Sequence, residues 1–240
     1  MAQTAQRSRA LETLSDIRYK VLPIIEWPLD RFSQVGAGEF YDLDLFPWVS
    51  HIEDGFDAIR AELDAVLAKR DEIPTFQEVL PSQELLTSDQ KWRTYMFYGY
   101  GHRHAANCAE CPETARLVES IPGMKTAFFS ILAPGKVIPP HRGFYKGVLR
   151  YHLGLKVPDD AEKCRIRVGE TWRHWEEGES MVFDDTFEHE VENDTDQERV
   201  VLFVDMVRPL PFPLSTANNG MIKLISMLPE IRRASKDIKD

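Results

Sequence analysis

Three hydrophobic patterns succeed one another along this chain. From Ile52 the apolar positions Phe56, Ile59, Leu63, Val66 and Leu67 recur at steps of three and four, which places one apolar stripe on a helix. Glu53 and Asp54 fall in its first turn, where the helix dipole favours acids. Residues 9–20 read as a further helix, and the polar, proline-bearing segment 71–91 mainly as loop. Trp92 to Tyr100 is aromatic and roughly alternating, the pattern of a strand. Pro112 opens a short helix through Ile121, since proline is tolerated at the first helical position. After Gly123 short strands are predicted at 125–133, 147–157, 164–169, 171–176, 179–185, 188–193 and 199–207, parted by turns such as Asp159-Asp160 and Glu177-Gly178. That spacing predicts a mainly β fold with flanking helices, a jelly roll or barrel of antiparallel strands. Pro209, Pro211 and Pro213 interrupt the sheet pattern, and an amphipathic helix is expected from Gly220 to Ala234, with Met221, Leu224, Ile225, Leu228 and Ile231 on one side. The organisation expected is a mainly helical region at 1–87, a β core at 88–209, and a proline-rich linker with a terminal helix at 210–240.

Composition narrows the partners. The formal net charge of -10 argues against nucleic acid, which needs a basic footprint. No apolar run approaches the ~18 residues of a membrane span, and the first residues lack the apolar core of a signal peptide. A cytoplasmic location is therefore expected. Three cysteines make no disulfide framework. Cys108 and Cys111 form a C-x-x-C with His102 and His104 nearby; surface thiols are expected in preference to a zinc site, and Cys164 is expected to pack in the core. The terminal helix is expected to pack on the barrel, with a dimer or membrane-surface contact as the alternative because Arg232, Arg233, Lys236 and Lys239 follow it.

Candidate chemistry concentrates between His141 and Arg208. His141 sits in P-P-H-R-G and His189 in F-D-D-T-F-E-H-E-V, on strands that an antiparallel barrel can bring together. Neutral imidazole is a good ligand for divalent iron, and its second ring nitrogen needs an acceptor to fix it. Two residues after His141 stands Gly143, where the common non-haem iron triad places a carboxylate. Arg199 opens the apolar run Arg-Val-Val-Leu-Phe-Val-Asp, where a guanidinium is costly to bury without an anion. It can grip a carboxylate through two parallel hydrogen bonds, as in the distal end of a 2-oxo acid, or it can pair internally with Asp205. Arg150 and His152 are two apart and share one face of a strand, pointing either to an anion or metal or to solvent.

P-P-H-R-G, L-R-Y-H-L-G-L, the stretch from Trp175 to Glu179, F-D-D-T-F-E-H-E-V and R-V-V-L-F-V-D, taken together and in this order, closely resemble the aspartyl/asparaginyl β-hydroxylase family. The similarity runs over residues 88–209, and Phe-Phe-Ser-Ile-Leu-Ala-Pro-Gly upstream also matches. The resemblance implies a double-stranded β-helix and an iron(II)- and 2-oxoglutarate-dependent dioxygenase that consumes O2. It implies His141 and His189 as iron ligands, Arg199 and Ser130 as the grip on the distal carboxylate, and Arg150 and His152 as contacts to the cosubstrate or supports of its pocket. Gly143 then matches the family's omission of the triad carboxylate, with water in that position. The open position also resembles the iron halogenases, whose motif context differs.

The departures bear on substrate. No further cysteine reproduces the spacing of the disulfide ahead of the animal enzyme's core, and that enzyme's helical repeat domain has no counterpart here. R-Y-H-L-G-L and D-x-E-R-V-V-L-F are also similar to the bacterial lipid A hydroxylases, which carry apolar membrane segments. The expected reaction is hydroxylation of an unactivated C–H, first of all the β-carbon of an aspartyl or asparaginyl group, free or in a peptide. Hydroxylation of a lipid acyl chain is one alternative, and a non-catalytic jelly roll that binds a metal or small acid is another. Residues 70–91 and 100–112 and the terminal helix are expected to select the substrate.

Overall fold

The structure, a computed structural model, describes residues 22–80, 87 and 89–228. The helix expected at 9–20 and the stretch beyond 228 lie outside these residues.

Helix α1 spans Leu22–Arg31, and β1 is the short strand Phe40–Tyr41. The helix expected from Ile52 is two, α2 (Val49–Glu53) and α3 (Phe56–Leu67), broken at Gly55. A Cβ on Gly55 would lie 2.4 Å from Leu117 Cδ1, so the break lets the backbone pass a neighbouring helix. The segment read as loop holds a helical turn, α4 (Phe76–Val79). Its start is a capping box: the Thr75 amide and hydroxyl both donate to Glu78 Oε2, at 2.7 and 2.8 Å. Then come β2 (Trp92–Gly99), β3 (His102–Arg103), α5 (Ala105–Glu110) and α6 (Pro112–Ser120). The remaining strands are β4 (Met124–Leu132), β5 (Lys136–His141), β6 (Val148–Lys156), β7 (Cys164–Val168), β8 (Thr171–His174), β9 (Ser180–Phe183), β10 (His189–Asn193) and β11 (Arg199–Val207). Helix α7 covers Leu214–Ser226, starting six residues before the expected point.

The strands form two antiparallel sheets, β1-β9-β6-β11-β4-β2-β3 and β5-β10-β7-β8. This is a mainly β molecule with flanking helices and a jelly-roll, double-stranded β-helix core. Helices α2, α3 and α6 cover the outer face of the large sheet through Ile52, Ile59, Leu63 and Leu117, which pack with Phe129, Tyr151 and Leu202. The inner face meets the small sheet in a second cluster that includes Phe128, Phe183, Val201, Phe203, Ile166 and Val191. Central strands covered on both faces read as continuous apolar runs, as β4 and β11 do. On these two strands and on β6 the inward positions Ser130, Arg150, His152, Arg199 and Asp205 are polar, and Arg150 and His152 lie against the Phe203 ring.

Candidate active site

Strand register brings the two histidines together. His189 on β10 pairs directly with His141 on β5, and their rings lie 4.0 Å apart between centroids. Each Nδ1 faces a carbonyl two residues back, Pro139 O at 2.8 Å for His141 and Phe187 O at 3.0 Å for His189. A carbonyl only accepts, so each Nδ1 carries the proton and each Nε2 keeps its lone pair for a ligand. Burial holds His141 below the ordinary imidazole pKa and His189 well below it, with each cation also opposed by its neighbours. Neutral, lone-pair-bearing imidazoles are the form a metal binds.

The loop between β9 and β10 holds this geometry. Gly143 N donates to Asp185 O at 2.7 Å and Arg142 Nε to Thr186 O at 2.8 Å. Asp184, fully buried, accepts from the Thr186 amide at 2.9 Å and is ion-paired with Arg208. The Asp185 carboxylate reaches over Gly143: a Cβ there would lie 2.3 Å from its Oδ1. Burial raises the Asp185 pKa to about 6, against the pull of Arg150 at 2.8 Å.

Deeper in the barrel lies a buried guanidinium. Arg199 is 1% exposed, has no carboxylate within ion-pair distance among the described residues, and its Nε is buried without a partner. Its guanidinium lies 4.4 Å from the centre of the Trp175 ring and donates a long bond, 3.5 Å, to Ser130 O. Burial alone depresses its pKa to about 10, so it is still a cation at neutral pH. Asp205, the alternative internal partner, is taken by Arg150 at 3.0 Å.

Two indoles set the polarity around Arg199. An indole N–H only donates. Trp175 Nε1 donates to His152 Nδ1 at 3.3 Å, which leaves the His152 proton on Nε2, buried and unpartnered. His152 stays neutral because burial pushes its pKa far down, helped by Arg199 and Arg150. Trp92 Nε1 donates to Ser130 Oγ at 3.1 Å, leaving the serine's own proton to be given elsewhere. Ser130, His152 and Arg199 are therefore three donors lacking a common acceptor. Phe183 bridges the two halves, its ring 5.0 Å from His152 and 6.3 Å from His189.

The sequence profile described as aspartyl/asparaginyl beta-hydroxylase matches residues 53–209. The chain belongs to that family. An ornithine lipid ester-linked acyl 2-hydroxylase of Rhizobium tropici is 43% identical over 210 residues, covering 88% of this chain and 75% of that protein. The human aspartyl/asparaginyl beta-hydroxylase is 34% identical over 166 residues, 67% of this chain but 21% of that longer protein. Among solved structures, a Pseudomonas putida prolyl-4-hydroxylase aligns at a TM-score of 0.41 and 18% identity, covering 64% of this chain and 87% of that one.

Within this hydroxylase family member the structure brings together all six residues singled out from sequence, as two linked groups. His141 and His189 form one; Arg199, Ser130 and His152 form the other, and Arg150 stands between them, ion-paired to Asp185 and Asp205. Sequence reading gave no role to Asp185, Trp92 or Trp175, although two of them lie inside the quoted motifs. Other expectations are corrected. Cys108 on α5 and Cys111 just after it are buried, free thiols packed in the cluster beneath the outer helices; burial raises both thiol pKa values, Cys111 to about 12. His104 Nδ1 caps α5 by accepting from Asn107 N at 3.1 Å. Cys164 packs in the core as expected. A cleft of about 400 Å3 lined by Lys69, Glu72, Tyr95 and Glu110 lies apart and includes none of the six residues.

Proposed function

We propose that the protein is an iron(II)- and 2-oxoglutarate-dependent dioxygenase that hydroxylates an unactivated C–H on a lipid acyl chain. The observation that carries the cofactor reading is the pairing of two proton-fixed imidazoles with a buried guanidinium that has no acid partner among the described residues. The residues fit the cofactors. His141 and His189 would hold iron through Nε2, and among the described residues no third His, Cys, Asp or Glu joins them as a cage. Iron and 2-oxoglutarate supply the oxidising chemistry that activates O2 and replaces a C–H by a C–OH. Arg199 would neutralise the distal carboxylate of the oxo acid, and Ser130 Oγ–H and His152 Nε2–H would donate to it. Asp185 and Asp205 hold Arg150 in place, and Phe183, Phe203 and Trp175 keep water away from these charges, which strengthens each contact.

The acyl substrate is supported by the Rhizobium tropici relative, whose likeness spans 75% of its own length. A second reading, hydroxylation at the β-carbon of aspartyl or asparaginyl groups, is favoured by the family's name and by the human relative. The test begins with anaerobic iron(II) and 2-oxoglutarate, which should give a visible charge-transfer band that His141→Ala or His189→Ala removes. Aerobic succinate release is then measured with ornithine-type acyl lipids, free Asp and Asn, and acidic peptides as separate sets. Succinate release coupled to the peptides alone would replace the lipid reading by the second; no band with the wild type would sink the cofactor reading.

A further inference from the structure

We propose that the protein docks on an anionic phospholipid surface through an apolar face built from α1, α7 and the loop after His141. This rests on the acyl-lipid reading and adds the route by which such a substrate arrives.

Among the described residues ten large hydrophobic side chains are exposed, and six of them, Trp27, Phe32, Phe212, Leu224, Met227 and Leu228, lie on α1, on α7 or at their ends. A seventh, Phe144, lies in the loop that follows the iron-ligand candidate His141. Trp27, Phe212 and Leu224 are 63%, 83% and 62% exposed, so most of their apolar surface is uncovered by the described residues. The two helices are nonetheless firmly seated. Their inner sides share a cluster of Leu29, Tyr145, Leu210 and Ile222. Glu26 accepts the Lys146 amide at 3.0 Å, Asp30 pairs with Lys146 Nζ at 2.7 Å, and Asn218 donates to Gly147 O at 2.9 Å. Both helices are thus anchored on residues 145–147, a few positions beyond His141. Apolar side chains gathered on seated helices mark an interaction surface rather than a loose core.

Charge selects the partner. Residues 1–21 and 229–240, which adjoin α1 and α7 in sequence, contain eight Lys/Arg against five Asp/Glu, whereas the rest of the chain has 21 against 34. The stretches that adjoin the two helices in sequence are therefore net basic in an otherwise acidic chain. Arg31 lies 5.6 Å from the Phe32 ring centre and Lys223 is in the last turn of α7. Aromatic and aliphatic side chains bordered by cations are the composition that binds the interface of anionic membranes; a protein partner would not need that segregation.

The full chain should co-sediment with vesicles of phosphatidylethanolamine and phosphatidylglycerol, less so at high salt or with phosphatidylcholine. The triple variant Trp27→Asp, Leu224→Asp, Met227→Asp should lose about tenfold or more of this binding, with unchanged circular dichroism and unchanged turnover of detergent-dispersed lipid. Trp27→Phe, which keeps the face apolar, should erase the blue shift of tryptophan emission on adding vesicles. Absence of wild-type binding, equal binding by the triple variant, or a persisting blue shift would overturn the proposal. A dimer seen by light scattering that the triple variant dissociates, without vesicle binding, would also overturn it and assign the face to a second copy. Vesicle binding without turnover of any acyl lipid would leave docking standing and remove the acyl-substrate reading. Turnover of dispersed lipid without docking would do the reverse.

Discussion

Arg199 is the residue whose energetics are most exposed to test, because its charge is buried ahead of any anion. Leaving a cation unpaired in a barrel interior costs stability, so Arg199→Met should raise the Tm of the apoprotein while abolishing use of 2-oxoglutarate. The gain expected is about 1–2 kcal/mol, read by thermal unfolding and by succinate release on one preparation. Trp175 separates platform from donor. Trp175→Phe keeps a ring beneath Arg199 and loses the N–H that fixes His152. The Kd for 2-oxoglutarate should rise about threefold to tenfold for one lost hydrogen bond, with iron binding unchanged. The ring 15N shifts of His152 should show the fixed Nε2–H tautomer in the wild type and a mixed population in the variant. The candidate ligands and Arg199 were legible as residues in motifs. The indole partners were not, since which nitrogen a tryptophan faces is decided by strands far apart in sequence.

At the scale of elements, the turn after β5 leaves no room for a side chain at Gly143. Gly143→Asp would not restore a triad, because its Cβ would run into the Asp185 carboxylate that Arg150 holds. Iron affinity in this variant should fall rather than rise, by titration of the charge-transfer band, and Gly143→Ala should already cost about 1–3 kcal/mol of stability through overpacking. Helix α5 gives a second test. With Cys108 and Cys111 both buried and their thiols pushed up in pKa, an aromatic disulfide reagent should react slowly with the native protein and at once after unfolding. These elements divide the legible from the illegible. Strands β4, β6 and β11 announce themselves by apolar runs or alternation. Strand β5 hides behind Pro139 and Pro140, which sit on a sheet edge where missing donors do no harm. Helix α4 carried its T-x-x-E signal openly, within a stretch whose polarity favoured a loop.

For the whole molecule, the buried imidazoles link stability to pH. His141, His152 and His189 all titrate below the ordinary 6.5, so below that pH the unfolded chain binds more protons and apoprotein stability falls as pH drops. Asp185, raised to about 6, acts in the opposite sense between 3.8 and 6, but it is one group against three. Melts of the apoprotein across pH 5 to 8 check the sign, and replacing His152 by Gln should flatten the fall. Binding of 2-oxoglutarate with iron should add about 2.7 kcal/mol at a hundredfold excess over Kd, about 5–10 °C in Tm for a chain of this size.

The two halves of the site also differ in how they are built into the barrel. Arg199 starts β11, a strand paired on both sides and covered on both faces, whereas His141 ends β5, an edge strand with Val137, Pro139 and Pro140 exposed. Local opening should therefore release the histidine pair at a lower free energy than the arginine pocket. In hydrogen exchange the amides of β4 and β11 should be the last to exchange and those of β5 among the first. Under the proposed cofactor reading, a mildly stressed molecule would lose metal binding before oxo-acid binding, and would regain activity on resupply of metal alone.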